Sequence, residues 1–283
     1  MKSTNLRLNF VILAVMAALG ASSVPRAEAQ STSRPPSQPG ANSNTLAVSS
    51  QPIARTWTPP DLTKIPHTAL GESILLGWRI FEETPKYAAQ YVGNKENCGN
   101  CHLQGATLTY AMPLVGAPAW FPQFSERAKK MISLEDRIQE CVTRSENGTP
   151  LPHDGPEMRA LFAFMSWLAD SQPAGKPAPS RGLFPLPDLK ADLDHGRKVY
   201  TDKCSGCHGV DGAGVPPILP PLWGPGAYND GAGMNQPKKM ASFVLRNMPQ
   251  NNPGSLTRQE AFDVSSYIAS KPHPAYNHDY DIY

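Results

Sequence analysis

The chain has 283 residues, and its 26 lysines and arginines nearly balance its 24 aspartates and glutamates. A nearly neutral chain gives no reason to expect binding to nucleic acid or to an anionic membrane surface. Its 30 prolines and 22 glycines predict short helices and many loops. The interior of such a fold needs something besides apolar side chains to fill it.

Residues 1–29 have the pattern of a cleaved signal peptide. Lys2 and Arg7 form a charged start, an apolar stretch covers 10–21, and an A-x-A cleavage site ends at Ala29. The apolar stretch is short for a bilayer-spanning helix, although an uncleaved anchor stays open. We predict export to the periplasm without stable membrane insertion. Cleavage removes three basic residues and one acidic residue, so the mature chain keeps 23 of each.

Two stretches rich in proline and small polar residues divide the rest of the chain. Residues 30–56 lack large apolar side chains almost entirely, so we expect a disordered linker there. The second stretch, at 171–188, reads "SQPAGKPAPSRGLFPLPD". From these breaks we predict a first domain at 57–175, a linker at 176–188 and a second domain at 189–283.

Each predicted domain contains one C-x-x-C-H motif. The two motifs are Cys98-Gly-Asn-Cys101-His102 and Cys204-Ser-Gly-Cys207-His208. This spacing is typical of haem c attachment, because the two thiols bond the two vinyl groups of one porphyrin and the next residue places an imidazole beneath the iron. We therefore predict two covalently bound haem c groups, each held by two cysteines and ligated by the histidine of its motif.

The residues around each motif have the pattern of a small cytochrome c domain. The segments "GWRIFEE" at 77–83 and "GRKVYTDK" at 196–203 precede the motifs, each beginning with glycine. Each domain closes with an amphipathic helix, predicted at 156–170 and at 257–270. We predict an all-α fold of two tandem cytochrome c domains, each enclosing one covalently attached haem, with very little sheet.

Met248 is the candidate distal ligand of the second haem iron. It lies 40 residues after His208, just before the loop that leads into the closing helix, where small cytochromes c commonly place a thioether ligand. Met234 and Met240 are alternatives, but ordinary packing suits both of them better.

Cys141 is the one cysteine outside the two motifs. It lies 39 residues after His102, so the internal repeat makes it the counterpart of Met248. A lone thiol is uncommon in an oxidising compartment, and ligation to ferric iron would keep it from random disulfide formation. We predict that the Cys141 thiolate is the distal ligand of the first haem. Ligation by His153, a buried inert cysteine and an intermolecular disulfide stay open as alternatives.

The segment "SLEDRIQECVTRS" around Cys141 has helical periodicity, with Ser133 as its N-cap. Arg137, Cys141 and Arg144 are spaced at i, i+4 and i+7, which predicts that they share one side of a helix. Ser145 lies one turn after Cys141. Guanidinium groups suit oxyanions, although they also bind haem propionates or surface carboxylates. The pattern indicates an anion site beside a thiolate-ligated iron.

The chain also resembles a known family. The segments "NCGNCH", "RIQECVTRSENG", "PPLWGPGAYNDGAGM" and "NMP", spread over about residues 65 to 272, are similar to those of the dihaem thiosulfate dehydrogenases, also studied as tetrathionate reductases. The resemblance implies that two thiosulfates are joined into tetrathionate at the cysteine-ligated haem. Two electrons would then pass to the methionine-ligated haem and on to a small acceptor protein such as a cytochrome c.

The resemblance also implies which side chains form the pocket. In the family, arginines upstream of the cysteine and a serine after it line the site, and the matching residues here are Arg127, Arg137 and Ser145. Arg144 belongs to the same motif. Some members place an iron-ligating lysine just before the methionine, whereas this chain has Asn247, so we expect stable ligation by His208 and Met248.

Two other classes of function are compatible with these sequence patterns. One is a dihaem electron carrier without a substrate of its own, which would need neither an arginine cluster nor a thiolate ligand. The other is a sulfur-oxidation cytochrome subunit that conjugates thiosulfate to a carrier protein.

Overall fold

The computed structural model describes residues 60–170 and 182–282. The predicted signal peptide and the first linker lie outside these residues, and of the second predicted linker only 182–188 is described. No helix within the described residues is long and apolar enough to cross a membrane.

The described chain is mostly short helices joined by long loops. The α-helices are α1 Ala69–Glu82, α2 Thr84–Tyr87, α3 Cys98–Cys101, α4 Leu103–Ala106, α5 Leu134–Glu140, α6 Pro156–Asp170, α7 Leu193–Lys203, α8 Ser205–His208, α9 Pro237–Asn247 and α10 Arg258–Ala269. A π-helical turn, Cys141–Ser145, follows α5. Short 3-10 turns occur at Leu62–Lys64, Ala117–Trp120, Gly233–Asn235 and His278–Tyr280.

The two domains share one framework, a glycine-containing helix packed across the closing helix. α1 packs on α6, and α7 packs on α10. At both crossings the glycine allows backbone contact: a Cβ on Gly77 would lie 2.0 Å from the Ala160 carbonyl oxygen, and one on Gly196 would lie 2.1 Å from that of Asp263. A side chain at either position would therefore separate the helices.

The domain boundary is filled by residues from both sides. The buried core of the second domain includes Ala111 of the first domain. Ala111 forms a β-bridge with Leu183, and the Tyr110 ring meets the Phe184 ring edge-on at 5.1 Å between centroids. The described part of the second predicted linker is thus packed against the first domain.

The all-α prediction is wrong at one place. A two-stranded antiparallel sheet, β1 Gln123–Ser125 and β2 Lys130–Ile132, precedes α5. Its turn is closed by a hydrogen bond from the Lys129 N–H to the Ser125 carbonyl at 2.7 Å. Each strand has three residues and only Ile132 is buried, so the alternation that would predict a half-buried strand is too short to recognise.

Substitution of Gly196 tests the helix crossing. Alanine is the better helix former, but its Cβ would overlap the Asp263 carbonyl. We expect Gly196→Ala to lower the free energy of unfolding by about 1–3 kcal/mol, measured by urea unfolding of the holoprotein. Gly226→Ala is the matched control, because its Cβ would meet only Pro221 Cγ at 3.8 Å. Equal stability of the two variants would contradict the close crossing.

Candidate active site

The first C-x-x-C-H motif presents its donors as haem c requires. Cys98 and Cys101 begin and end the single turn of α3, and both are free thiols. His102 Nδ1 lies 2.6 Å from the Met112 carbonyl oxygen. An Nδ1–H donated to that oxygen leaves the Nε2 lone pair for iron. Burial lowers the pKa of His102 to about 4, so the imidazole is in the neutral form that ligates metal.

The second motif repeats this arrangement. Cys204 and Cys207 are free thiols, and His208 Nδ1 lies 3.0 Å from the Pro220 carbonyl oxygen. Burial lowers the pKa of His208 as well. In both domains the two thiols and the oriented imidazole therefore fit a covalently attached haem.

Helix α5 immediately precedes Cys141 and determines its position. The Ser133 side chain accepts the Asp136 N–H at 3.1 Å, and the Asp136 carboxylate accepts the Ser133 N–H at 2.9 Å, so the predicted N-cap is present as a full capping box. Leu134, Ile138 and Val142 are buried in the first domain's core. This apolar face fixes the rotation of α5 and leaves Cys141 at its end partly exposed.

The chain changes from α to π geometry at Cys141. The Cys141 carbonyl keeps a π-helical bond from the Glu146 N–H. The later carbonyls of the turn accept from residues outside it, among them Gly148 N–H on Val142, the Asn229 side chain on Thr143, Asn229 N–H on Arg144 and the Asn94 side chain on Ser145. Asn229 belongs to the second domain, so both domains hold the turn that carries Cys141.

Two of the predicted arginines lie at one acidic side chain next to Cys141. Arg137 and Arg127 form ion pairs with the two carboxylate oxygens of Glu140, at 3.2 Å and 3.7 Å. Electrostatic interaction with the Cys141 side chain is the main cause that raises the pKa of Arg137. Arg127 comes from the turn of the β1–β2 hairpin. The unpredicted sheet thus brings a predicted site residue to Glu140, the residue before Cys141.

Arg144 lies elsewhere, although its spacing predicted the same helix side as Arg137. Its guanidinium is buried, donates to Asp281 Oδ1 at 2.6 Å and lies 3.8 Å over the Tyr276 ring. Both partners belong to the C-terminal segment. The π-helical turn adds residues per turn, which breaks the α-helical spacing on which the prediction depended.

Comparison with known proteins agrees with this organisation. The cytochrome c family model matches residues 193–271, and the SoxA/TsdA cytochrome c domain model matches residues 86–173. A thiosulfate dehydrogenase from Allochromatium vinosum is 37% identical over 82% of this chain and 89% of its own length. Another, from Stutzerimonas stutzeri, is 38% identical over 77% of this chain and 73% of its own length. This chain belongs to the thiosulfate dehydrogenase family.

A solved structure supports the family assignment. The thiosulfate dehydrogenase TsdBA from Marichromatium purpuratum is 34% identical, with a TM-score of 0.70 over 75% of this chain. This chain spans 48% of that longer chain. The L-cysteine S-thiosulfotransferase subunit SoxA from Chlorobaculum tepidum is a more distant relative, 26% identical over half of this chain. Membership in the thiosulfate dehydrogenase family makes this chain an oxidoreductase with two cytochrome c domains, which implies haem c binding.

Met248 follows the last residue of α9 and packs, partly buried, against the second core. Asn247, where some members of the thiosulfate dehydrogenase family have lysine, is buried and donates to the carbonyls of Tyr110 and Phe243 at 3.0 and 2.8 Å. It therefore connects the two domains. Met240 is buried in the second core, as the packing interpretation predicted.

The alternative ligand His153 is exposed and lines a cavity of about 430 Å³ beside α1 and α6. None of the haem-motif residues lines that cavity. Cys141, by contrast, lies near Cys98 and Cys101. Burial and then nearby carboxylates raise the pKa of both thiols, and Cys141 raises each pKa further. The geometry favours Cys141 over His153 beside the first motif.

Two buried glutamates near the first motif were not recognised from the sequence. Glu96 accepts the Tyr228 N–H at 3.1 Å, across the domain boundary. Burial raises the pKa of Glu146 to about 8. Burial also raises the pKa of Glu96, and the nearby charge of Glu146 raises it further. Their only signal in the sequence is proximity to Cys98 and Cys141, which does not reveal burial.

The Arg144–Asp281 ion pair can be tested by removing one charge. Asp281→Asn leaves a buried guanidinium without its carboxylate, so we expect the free energy of unfolding of the holoprotein to fall by about 1–3 kcal/mol. Thermal and urea unfolding measure the change. Asp279→Asn is the matched control, because Asp279 is exposed in the same segment. A loss no larger than in that control would show that the pair does not hold the C-terminal segment.

Proposed function

We propose that this protein oxidises two thiosulfate ions to one tetrathionate ion and passes the two electrons to an acceptor protein such as a small cytochrome c. The observation that carries the proposal is the Arg127–Glu140–Arg137 cluster beside Cys141, in a chain closely related to thiosulfate dehydrogenases. Both the forward and the reverse reaction are compatible with this site.

The arginines address the main electrostatic obstacle of the reaction. Two thiosulfate dianions must meet before their terminal sulfurs can bond, and their repulsion in a partly dry site amounts to several kcal/mol. Arg137 is 44% exposed and Arg127 27% exposed at their side chains. Both can therefore contact an anion that enters from solvent while Glu140 holds them in place.

His102 and Cys141 would hold the iron of the first haem, and His208 and Met248 that of the second. Each haem, when bound, would accept one electron and pass it on. A Cys141 thiolate donates electron density to ferric iron, and Arg137 lies where it can offset the negative charge of this sulfur. Ser145, one turn further on and partly buried, is the hydroxyl donor that the resemblance implies.

Two alternatives lack comparable support. A plain electron carrier needs no cation cluster beside a cysteine. A thiosulfate-conjugating subunit is favoured by the SoxA relative, which covers half of this chain at lower identity, and the SoxA/TsdA domain model does not separate the two functions. The proposed periplasmic location depends on the signal-peptide pattern of residues 1–29.

The function is tested with purified holoprotein, thiosulfate and ferricyanide as a one-electron acceptor. We expect two ferricyanides reduced and one tetrathionate formed per two thiosulfates. Cys141→Gly should lose turnover by at least a hundredfold, about 3 kcal/mol of activation free energy, while mass spectrometry still shows both haems attached. Absence of tetrathionate, together with no reduction of either haem by thiosulfate, would refute the proposal; full activity of Cys141→Gly would refute the role of the thiolate.

A further inference from the structure

The cation cluster beside Cys141 has a third member that comes from the second domain. Lys239 lies in the first turn of α9. Lys239 is exposed, and partial desolvation followed by the charges of Arg127 and Arg137 lowers its pKa, whereas Glu140 raises it. These three side chains are therefore the electrostatic neighbours of Lys239.

The fold explains how Lys239 reaches this position. The Gly233–Asn235 turn contacts the π-helical turn that carries Cys141. The Lys239 stem lies against the same Gly233 turn, with Cδ at 3.9 Å from the position of a Cβ on Gly233. The Lys239 N–H donates to the Gln236 carbonyl at 2.9 Å, which fixes the start of α9 beside this turn.

Lys239 differs from its neighbour Lys238 in having no carboxylate partner. Lys238 pairs with Asp188 at 2.5 Å. Within residues 60–170 and 182–282, Lys239 forms no ion pair of this kind. Glu140 is already shared by the two arginines. Lys239 therefore adds a third positive charge beside Arg127 and Arg137.

We propose that Lys239 is a substrate-binding cation of the thiosulfate site, supplied by the second domain, so that the site is complete only where the two domains meet. This inference rests on the proposed function and deepens it. A third cation offsets more of the charge of a thiosulfate dianion, and the flexible ammonium of Lys239 can follow the anion, whereas the two guanidiniums are held by Glu140. The site should therefore prefer dianions over monoanions of similar size.

Neutralisation of Lys239 tests the inference through binding. We expect Lys239→Gln to raise the KM for thiosulfate about tenfold, with a smaller change in kcat, because a partly exposed cation contributes through a screened Coulombic attraction. Lys239→Arg should recover most of the affinity. Lys238→Gln is the matched control and should stay within twofold of wild type, because its charge is paired with Asp188.

A second measurement separates this inference from the proposed function. Sulfate, an unreactive dianion, is titrated into the oxidised holoprotein by isothermal titration calorimetry, and its affinity should fall in Lys239→Gln by a similar factor. If the wild type does not oxidise thiosulfate, the proposed function fails and the sulfate titration alone tests the role of Lys239. Weaker sulfate binding in Lys239→Gln would then support an anion-binding role for Lys239. Equal binding in the two proteins, or no binding to either, would overturn that role.

If the wild type is active, the KM comparison decides. An unchanged KM in Lys239→Gln overturns the inference, and so does an equal loss in Lys238→Gln, which would indicate general surface charge. An unchanged KM with an altered spectrum of the first haem would instead assign Lys239 to a haem propionate.

Discussion

The hydrogen bonds from Asn229 to the Cys141–Ser145 turn are the contact on which the arrangement of the two domains around the site depends. The Asn229 side chain donates to the Thr143 carbonyl at 2.8 Å, and its backbone N–H donates to the Arg144 carbonyl at 3.2 Å. The Arg144 carbonyl also accepts the Asn147 N–H at 3.4 Å, but the end of the helix leaves the Thr143 carbonyl to the Asn229 side chain, and a buried carbonyl without a partner is costly. The second domain is therefore structurally required by the segment that carries the proposed iron ligand.

The same boundary connects the two proposed haem sites through one helix. α9 begins beside the cation cluster with Lys239 and ends just before Met248. Met248 lies nine residues after Lys239, which corresponds to about 14 Å along an α-helix. Asn247 fixes the far end of α9 to Tyr110 of the first domain. One helix thus connects the proposed substrate-binding lysine at one end of α9 with the proposed iron ligand Met248 after its other end.

Much of the framework could be predicted from the sequence, because it depends on local patterns. The N-cap at Ser133 and the apolar spacing of Leu134, Ile138 and Val142 predicted a helix where α5 begins. The same regular spacing did not reveal that α5 ends at Glu140 and continues as a π-helical turn. The periodicity at 156–170 likewise matched α6, which spans Pro156–Asp170. The helix predicted at 257–270 differs from α10 by one residue at each end.

The features that could not be predicted depend on irregular local geometry or on contacts between segments that are distant in the sequence. Regular helical spacing put Arg144 beside Arg137, whereas the π-helical turn directs it to Asp281. The hairpin that presents Arg127 has strands too short to produce a recognisable alternation. Lys239 approaches Arg137 only after both domains have folded, about a hundred residues apart in sequence, and no periodicity indicates such a contact.

Electron paramagnetic resonance of the ferric holoprotein tests whether Cys141 ligates the first haem iron. We expect two low-spin signals, one of the histidine–thiolate type and one of the histidine–methionine type. Cys141→Gly should abolish the first signal and leave the second in place. A wild-type spectrum without the histidine–thiolate signal, or a spectrum that does not change on substitution, would show that Cys141 is not the iron ligand.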